Sequence, residues 1–229
     1  MTNPQLQVSL LRPEEAEQFM RIRHKVFKPT INKILYSRGE PSQKILDRVT
    51  KDVRDGIVNK GMLYLKCVDV ATGEMIAGAR WRYAKPKEEG ARERTWDEVE
   101  AGFTVPEPYE ESDPELFRSL FHLLNTNKRE ILGNRPYYTL ITCAVLPQHE
   151  RRGAGTMLVQ WGCDRADEAG VEAYIEASLM GVPVYERLGF KPVKRIELNT
   201  KDFGAKENEA FIVMIRPAKA ERMDLPTAV

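Results

Sequence analysis

The stretch best equipped for chemistry lies past the middle of the chain: Gln148-His149-Glu150-Arg151-Arg152-Gly153-Ala154-Gly155-Thr156, entered from an apolar, β-branched run and left through a helical pattern. A strand, a tight glycine-bearing loop and a helix start aim exposed backbone N–H groups at one spot, where the helix dipole favours an anion such as a pyrophosphate. Gly153 and Gly155 let the backbone approach that anion with no side chain between. No Gly-Lys-Ser/Thr follows, so this is not a Walker loop. The dinucleotide fingerprint needs a third glycine and a first strand early in its own unit. The same glycines would also serve a plain strand-to-helix turn. Other reactive side chains are scattered. His122 sits in an amphipathic helical pattern and His149 in the loop. Cys67, Cys143 and Cys163, odd in number and widely spaced, fit neither a disulfide framework nor a zinc site.

These groups need a scaffold. Leu6–Leu11 alternates as a strand and stops at Arg12-Pro13. Glu14–Phe27 reads as a helix with acids in its first turn. Ser42–Lys60 reads as a second, its face built from Ile45, Leu46, Val49, Val53 and Ile57. Met62–Val70 and Glu74–Ala84 form a hairpin about Ala71-Thr72-Gly73. Residues 86–113 show no sustained period. Pro114 to about Leu132 is a helix capped by Asp113. Tyr138–Leu146 then reads as a buried central strand, followed by the loop and a helix closing at Ala169-Gly170. Val171–Ser178 is a further strand, and Gly181–Phe190 a short helix ended by glycine. With no repeat and no long linker, one domain over 6–217 is expected, with a flap insertion at about 86–113 and a tail at 218–229.

Charge sharpens this picture. The 229 residues carry 35 Lys and Arg against 34 Asp and Glu, so bulk electrostatics name no polyanionic partner. The spread is uneven: residues 21–60 hold eleven basic groups against four acids, and residues 86–115 hold eleven acids against three bases. An acidic flap of this kind would attract a cationic amine, or simply keep a surface wet. Nucleic-acid binding is not expected, because the basic residues fall on several helix faces without aromatic interleaving. No apolar run approaches the ~20 residues of a membrane span, and no signal peptide opens the chain; a soluble, cytoplasmic protein is expected.

The Val-x-Pro-x-x-x-Arg-Arg-Gly-x-Gly stretch from Val145 to Gly155, reinforced by Tyr185-Glu186-Arg187-Leu188-Gly189-Phe190, resembles the GNAT superfamily of N-acetyltransferases. The resemblance implies an α/β (α+β) fold: a mixed, strongly twisted central sheet splayed between strands 4 and 5 and flanked by helices. It implies acetyl-CoA as cofactor, with no metal. Cys143, Ala144 and Val145 would offer backbone groups to the pantetheine arm. Arg151, Arg152, Gly153, Ala154, Gly155 and Thr156 would ring the pyrophosphate, mainly through N–H groups, and Ser178 would make a polar cofactor contact or cap the next helix. Glu150 stands where the family usually has Gln or Arg, and its carboxylate should turn away from a diphosphate.

The reaction implied is direct attack of a primary amine on the thioester, with the Val145 N–H at the thioester oxygen and Tyr185 as general acid for the leaving thiolate. The early part of the fourth strand has Tyr138, Thr139 and Thr142 but no acid, so the base is water or a flap acid such as Glu98 or Glu100. The acceptor is a small-molecule or peptide amine and the protein a monomer or homodimer. Trp81, Tyr83, Trp96, Phe103 and Tyr109 are candidate walls of an acceptor pocket. The alternative is a catalytically silent CoA-binding or regulatory module of the same fold.

Overall fold

Alternating apolar residues in the first half of the chain build an antiparallel meander. In the computed structural model, which describes residues 3–219, β1 (Leu6–Leu10) pairs with β2 (Leu63–Asp69), and β2 with β3 (Met75–Ala84). Two helices cover one face of this meander, α1 (Ala16–Phe27) and, after the short α2 (Asn32–Leu35), α3 (Gln43–Val58). Close approach is bought with glycine at two places. A Cβ on Gly78 would lie 2.6 Å from the Phe19 ring, and one on Gly56 would lie 3.1 Å from the Tyr64 ring.

The acidic flap is not wholly irregular. Residues 96–101 form α4 (Trp96–Ala101), opened by a capping box in which Thr95 and Glu98 satisfy each other's backbone N–H groups. Six residues are too few to show a helical period, yet the Thr-x-x-Glu spacing was there to be read. Next comes α5 (Pro114–Leu132), and Asp113 caps it as expected, its Oδ1 accepting from the Glu115 and Leu116 N–H groups at 3.0 and 3.1 Å.

β4 (Tyr137–Val145), α6 (Ala154–Glu168) and β5 (Glu172–Ser178) follow within two residues of expectation, and β4 and β5 are parallel from Tyr137↔Glu172 to Leu140↔Ile175. After α7 (Val182–Arg187) come two strands that the sequence reading left unassigned, β6 (Lys191–Leu198) and β7 (Glu209–Arg216). β6 is an edge strand, exposed over its first five residues and rich in charge, which hides its alternation. The sheet has seven strands in the order β1-β2-β3-β4-β5-β7-β6, mixed and flanked by helices.

The chain divides into two compact units interleaved along the sequence. One comprises the chain through Arg82, Pro106–Leu120 and Ile141–Val159; the other comprises Tyr83–Val105, Phe121–Leu140 and the chain from Gln160. The first holds the meander, α1–α3 and the glycine loop. The second holds α4, β5, α7, β6 and β7, and is tied internally by Arg216, whose guanidinium forks onto Asp167 at 2.7 and 2.8 Å while its Nε donates to the Leu188 carbonyl at 3.0 Å. The first two and last ten residues, most of the expected tail among them, lie outside the described residues.

Candidate cofactor and acyl-transfer site

The glycine loop is built to present N–H groups. β4 ends at Val145, a single 3₁₀ turn covers Pro147–His149, and the chain then takes two left-handed steps, Arg151 at φ 62° and Gly153 at φ 96°, before α6 begins. A left-handed arginine costs of order 1 kcal/mol or more, so the turn is held by its surroundings. Those surroundings are identifiable. The Arg152 guanidinium pairs with Asp69 of β2 at 2.7 Å and reaches His149 Nδ1 at 3.0 Å, while the Arg152 carbonyl accepts from Asn3 at 3.0 Å. His149 Nε2 lies 3.6 Å from Glu74. The Arg152 hydrogen bond holds the Asp69 carboxyl below its ordinary range. Arg152 and His149 are therefore braces: Arg152 is turned to β2, and His149 is half-buried rather than free in solution. Arg151 and Glu150 are exposed. Among the described residues, no hydrogen bond takes up the N–H groups of Arg151, Arg152, Gly153, Ala154, Gly155 or Thr156. Six uncommitted donors at a helix start suit a diphosphate.

The end of β4 supplies a second set. The Leu146 N–H donates to the Ile76 carbonyl at 3.0 Å, and at the other end of the pair the Tyr83 and Tyr138 rings stack at 4.4 Å. β3 and β4 therefore run antiparallel, and in such a pair successive residues direct their polar groups to opposite edges. With Leu146 turned toward β3, the backbone groups of Val145 and Cys143 point away from it, available to a bound arm; Ala144, 1% exposed, faces β3 with Leu146. The Val145 side chain lies on the α6 face, 3.4 Å from where a Cβ on Gly155 would sit, and Trp81 on the same face donates its indole N–H to the Leu158 carbonyl at 3.2 Å. Burial, and then the neighbouring Cys67, push the Cys143 thiol up to about 12, which excludes a thiolate nucleophile at neutral pH.

In the other unit, Tyr185 lies on α7 and packs edge-on against Phe190 at 5.9 Å, over Gly181, where a Cβ would come within 2.7 Å of the ring. Ser178 is exposed at the end of β5. Its carbonyl accepts from Gly181 at 2.9 Å, and α7 has no side-chain cap, so Ser178 does not serve as one. His122 is exposed on α5. No group of three or more His, Cys, Asp or Glu among the described residues could hold a metal ion, and no described helix is long and apolar enough to cross a membrane.

Several of the flap acids are engaged. Glu98 accepts from the Thr95 and Lys87 backbone N–H groups at 2.8 Å each; the Thr95 bond foremost holds its carboxyl low, which makes it a poor base. Glu100 pairs with Arg129 at 2.9 Å and Asp113 with Arg38 at 3.0 Å. Glu110 pairs with Lys44, and Glu111 accepts the Ser42 N–H at 2.8 Å. The acidic stretch and the basic 21–60 stretch thus partly neutralise each other, a long-range pairing that the separate charge counts concealed.

Comparison with known proteins agrees with this geometry. Residues 121–190 match the acetyltransferase (GNAT) family. The fold is similar to that of a mosquito arylalkylamine N-acetyltransferase-like 5b protein (17% identity, TM-score 0.63, covering 93% of this chain and 99% of that one). It is also similar to the polyamine N-acetyltransferase of Drosophila melanogaster (15%, 0.61, 93% and 99%) and to the ribosomal-protein-S18-alanine N-acetyltransferase of Escherichia coli (15%, 0.52, 97% and 99%). The strand order and the braced glycine loop thus agree with the fold of these N-acetyltransferases, and the segment 121–190 carries the match to the acetyltransferase (GNAT) family.

Proposed function

We propose that the protein moves an acetyl group from acetyl-CoA to a primary amine. The observation that carries this reading is the row of uncommitted N–H groups from Arg151 to Thr156, set beside a β4 end whose Val145 and Cys143 backbones face outward. Bound acetyl-CoA supplies the activated acyl thioester. The loop amides hold the diphosphate, and Gly153 and Gly155 let them approach. The outward backbone of Cys143 and Val145 pairs with the pantetheine arm like a short added strand. The Val145 N–H donates to the carbonyl oxygen as negative charge gathers there, where a fixed donor is worth most. Tyr185 hands its phenolic proton to the departing sulfur, a role that rests on the family resemblance of the Tyr-Glu-Arg-Leu-Gly-Phe ending. With Glu98 and Glu100 committed to other partners, the acceptor's proton leaves through water.

Two measurements test this. Calorimetry with CoA should give a saturable heat, and thiol release should follow on adding acetyl-CoA with an amine panel. Tyr185→Phe should lower kcat by about 10²-fold, the general-acid scale, with CoA affinity unchanged. No heat with CoA would end the reading. Binding without turnover on any amine would leave a CoA-binding module, and an unaltered kcat in Tyr185→Phe would remove that residue from the chemistry.

A further inference from the structure

The face of the β2–β3 hairpin turned toward α1 and α3, opposite the face that carries Trp81 and Val145, holds an arginine with no hydrogen-bond or ion-pair partner among the described residues. Arg80 of β3 stands across from Tyr64 of β2, its guanidinium 5.5 Å from the ring centroid. Among the described residues it donates no hydrogen bond and forms no ion pair, and its Nε is sealed from solvent without a partner. Burial disfavours its charge, and the like charges of Arg23 and Arg82 add to that, against weaker support from Tyr64 and Tyr109. Two more cations converge on the same place. Arg48, exposed to solvent, lies 5.6 Å from the Tyr109 ring, which stacks on Tyr36 at 5.2 Å, and the half-buried Arg23 is close enough to the Tyr36 phenol to favour its charged form. Neither has a carboxylate partner among the described residues. The acids within electrostatic reach are Asp52, which forms no ion pair with these arginines, and Glu111, which accepts the Ser42 N–H through one oxygen while its other oxygen is buried without a hydrogen bond.

A shielded cation without a counter-ion is a standing cost, and an arriving anion removes it. The antiparallel register sets Arg80 level with the Ile141–Thr142 step of β4, next to the Cys143 backbone assigned above to the acyl arm and on the opposite face of the sheet from α6. The guanidinium is a planar fork matched to a carboxylate, and the Tyr36, Tyr64 and Tyr109 rings lie about these arginines.

We propose that Arg80, with Arg23 and Arg48, forms a subsite for the carboxylate of the acceptor, so that the amine acetylated is carried on an acidic molecule of amino-acid type rather than on a polyamine; this rests on the acetyl-transfer reading above. The acidic flap, several of whose carboxylates are held by ion pairs and backbone hydrogen bonds, is not the acceptor's recognition element in this reading.

The test uses the full chain, acetyl-CoA and matched pairs of α-amino acids and their carboxamides, followed by thiol release and by binding to the CoA-loaded protein. The acid should exceed its amide in kcat/KM at least about 10-fold. Arg80→Gln should cut kcat/KM for the acid by about 10- to 100-fold, the scale of a charge-assisted bond, with the amide and CoA affinity unmoved. Preference for the amide, an equal loss for both, or a loss in CoA affinity would overturn the assignment. Should no amine be acetylated, the acetyl-transfer reading fails on its own, and the binding arm decides the subsite: Arg80-dependent binding of the acids supports it and its absence overturns it. Arg80→Met should leave the melting temperature of the free protein equal or higher. A fall of several degrees would mark Arg80 as structural and overturn the proposal.

Discussion

Replacing Gly155 tests the cofactor loop through a steric series that the structure sets quantitatively. A Cβ there would rest 3.4 Å from Val145 Cγ2, at the edge of ordinary van der Waals contact, and the backbone needs no left-handed angle at this position. Gly155→Ala should therefore fold normally and keep nearly full CoA affinity. Valine projects its γ-carbons about 1.5 Å further, which would bring them to roughly 2 Å from Val145 and force the first turn of α6 off β4. Overpacking of this kind costs about 1–3 kcal/mol. Because the displaced turn carries the donor amides, that cost should reappear as about a 5- to 150-fold loss in CoA affinity by calorimetry. Gly153→Ala provides the contrast, since φ 96° is strained for any side chain, so it should lose stability of order 1–3 kcal/mol although no atom lies near its Cβ. Gly155→Val binding CoA within twofold of the parent protein would refute the geometry of the loop. So would Gly155→Ala failing as badly as Gly155→Val, because the obstacle would then not be Val145.

The other outcomes are equally specific. Asp167→Ala strips the buried Arg216 fork of its carboxylate, leaving the Leu188 carbonyl as its main acceptor. With Arg216 7% and Asp167 21% exposed, about 3 kcal/mol should be lost, roughly 6–12 °C by calorimetric melting. Burial alone would raise the Glu15 carboxyl, but hydrogen bonds from Lys66 and Arg12 outweigh it and bring the group from 4.5 down to about 2. The stability it contributes is present above pH 4.5 and lost as pH falls toward 2, so Glu15→Gln should flatten acid unfolding across that window; an unchanged profile would contradict the pairing. Arg80→Gln should move the acidic limb of kcat/KM to higher pH, read with the amino-acid acceptor, whereas a merely structural Arg80 would leave the limb in place.

The parts of the site legible in the sequence are those in which one local segment does the work. Strand, glycines and helix start sit within twenty residues of one another, and backbone donors need little from side chains, so Gly153, Gly155 and the outward β4 amides were readable. Arg152 was ambiguous because its partner, Asp69, is far away in sequence and meets it only through β2. The flap misled for the same reason: Lys44 and Glu110, or Arg38 and Asp113, are distant along the chain but joined in the fold. Arg80 was invisible because Ala79-Arg80-Trp81-Arg82 reads as a strand with polar residues turned to water, whereas its arginine face is covered by α1 and α3. Of the aromatic residues expected to shape an acceptor pocket, Tyr109 joins that cluster and Trp81 turns to the opposite face, against α6.

Uncompensated arginines also supply a physical account of a reaction without a side-chain base. An alkyl ammonium is almost wholly protonated at neutral pH, and β4 has no acid to accept its proton. An acceptor whose carboxylate neutralises one guanidinium would still place its ammonium near the other arginines of the cluster. Tyr36, Tyr64 and Tyr109 do not offset this, because burial holds each phenol above its ordinary range and so uncharged. Among the carboxylates, Asp52 and Glu111 act most on these rings, and Glu111 accepts the Ser42 N–H through one of its oxygens. An ammonium held beside these arginines would be disfavoured against the neutral amine, which is the form that attacks. The same field that anchors one end of the acceptor thus prepares the other, and water suffices to carry the proton away. Removing Arg80 should then weaken acid binding and raise the pH at which the amine becomes reactive, two effects that a simple loss of packing would not produce together.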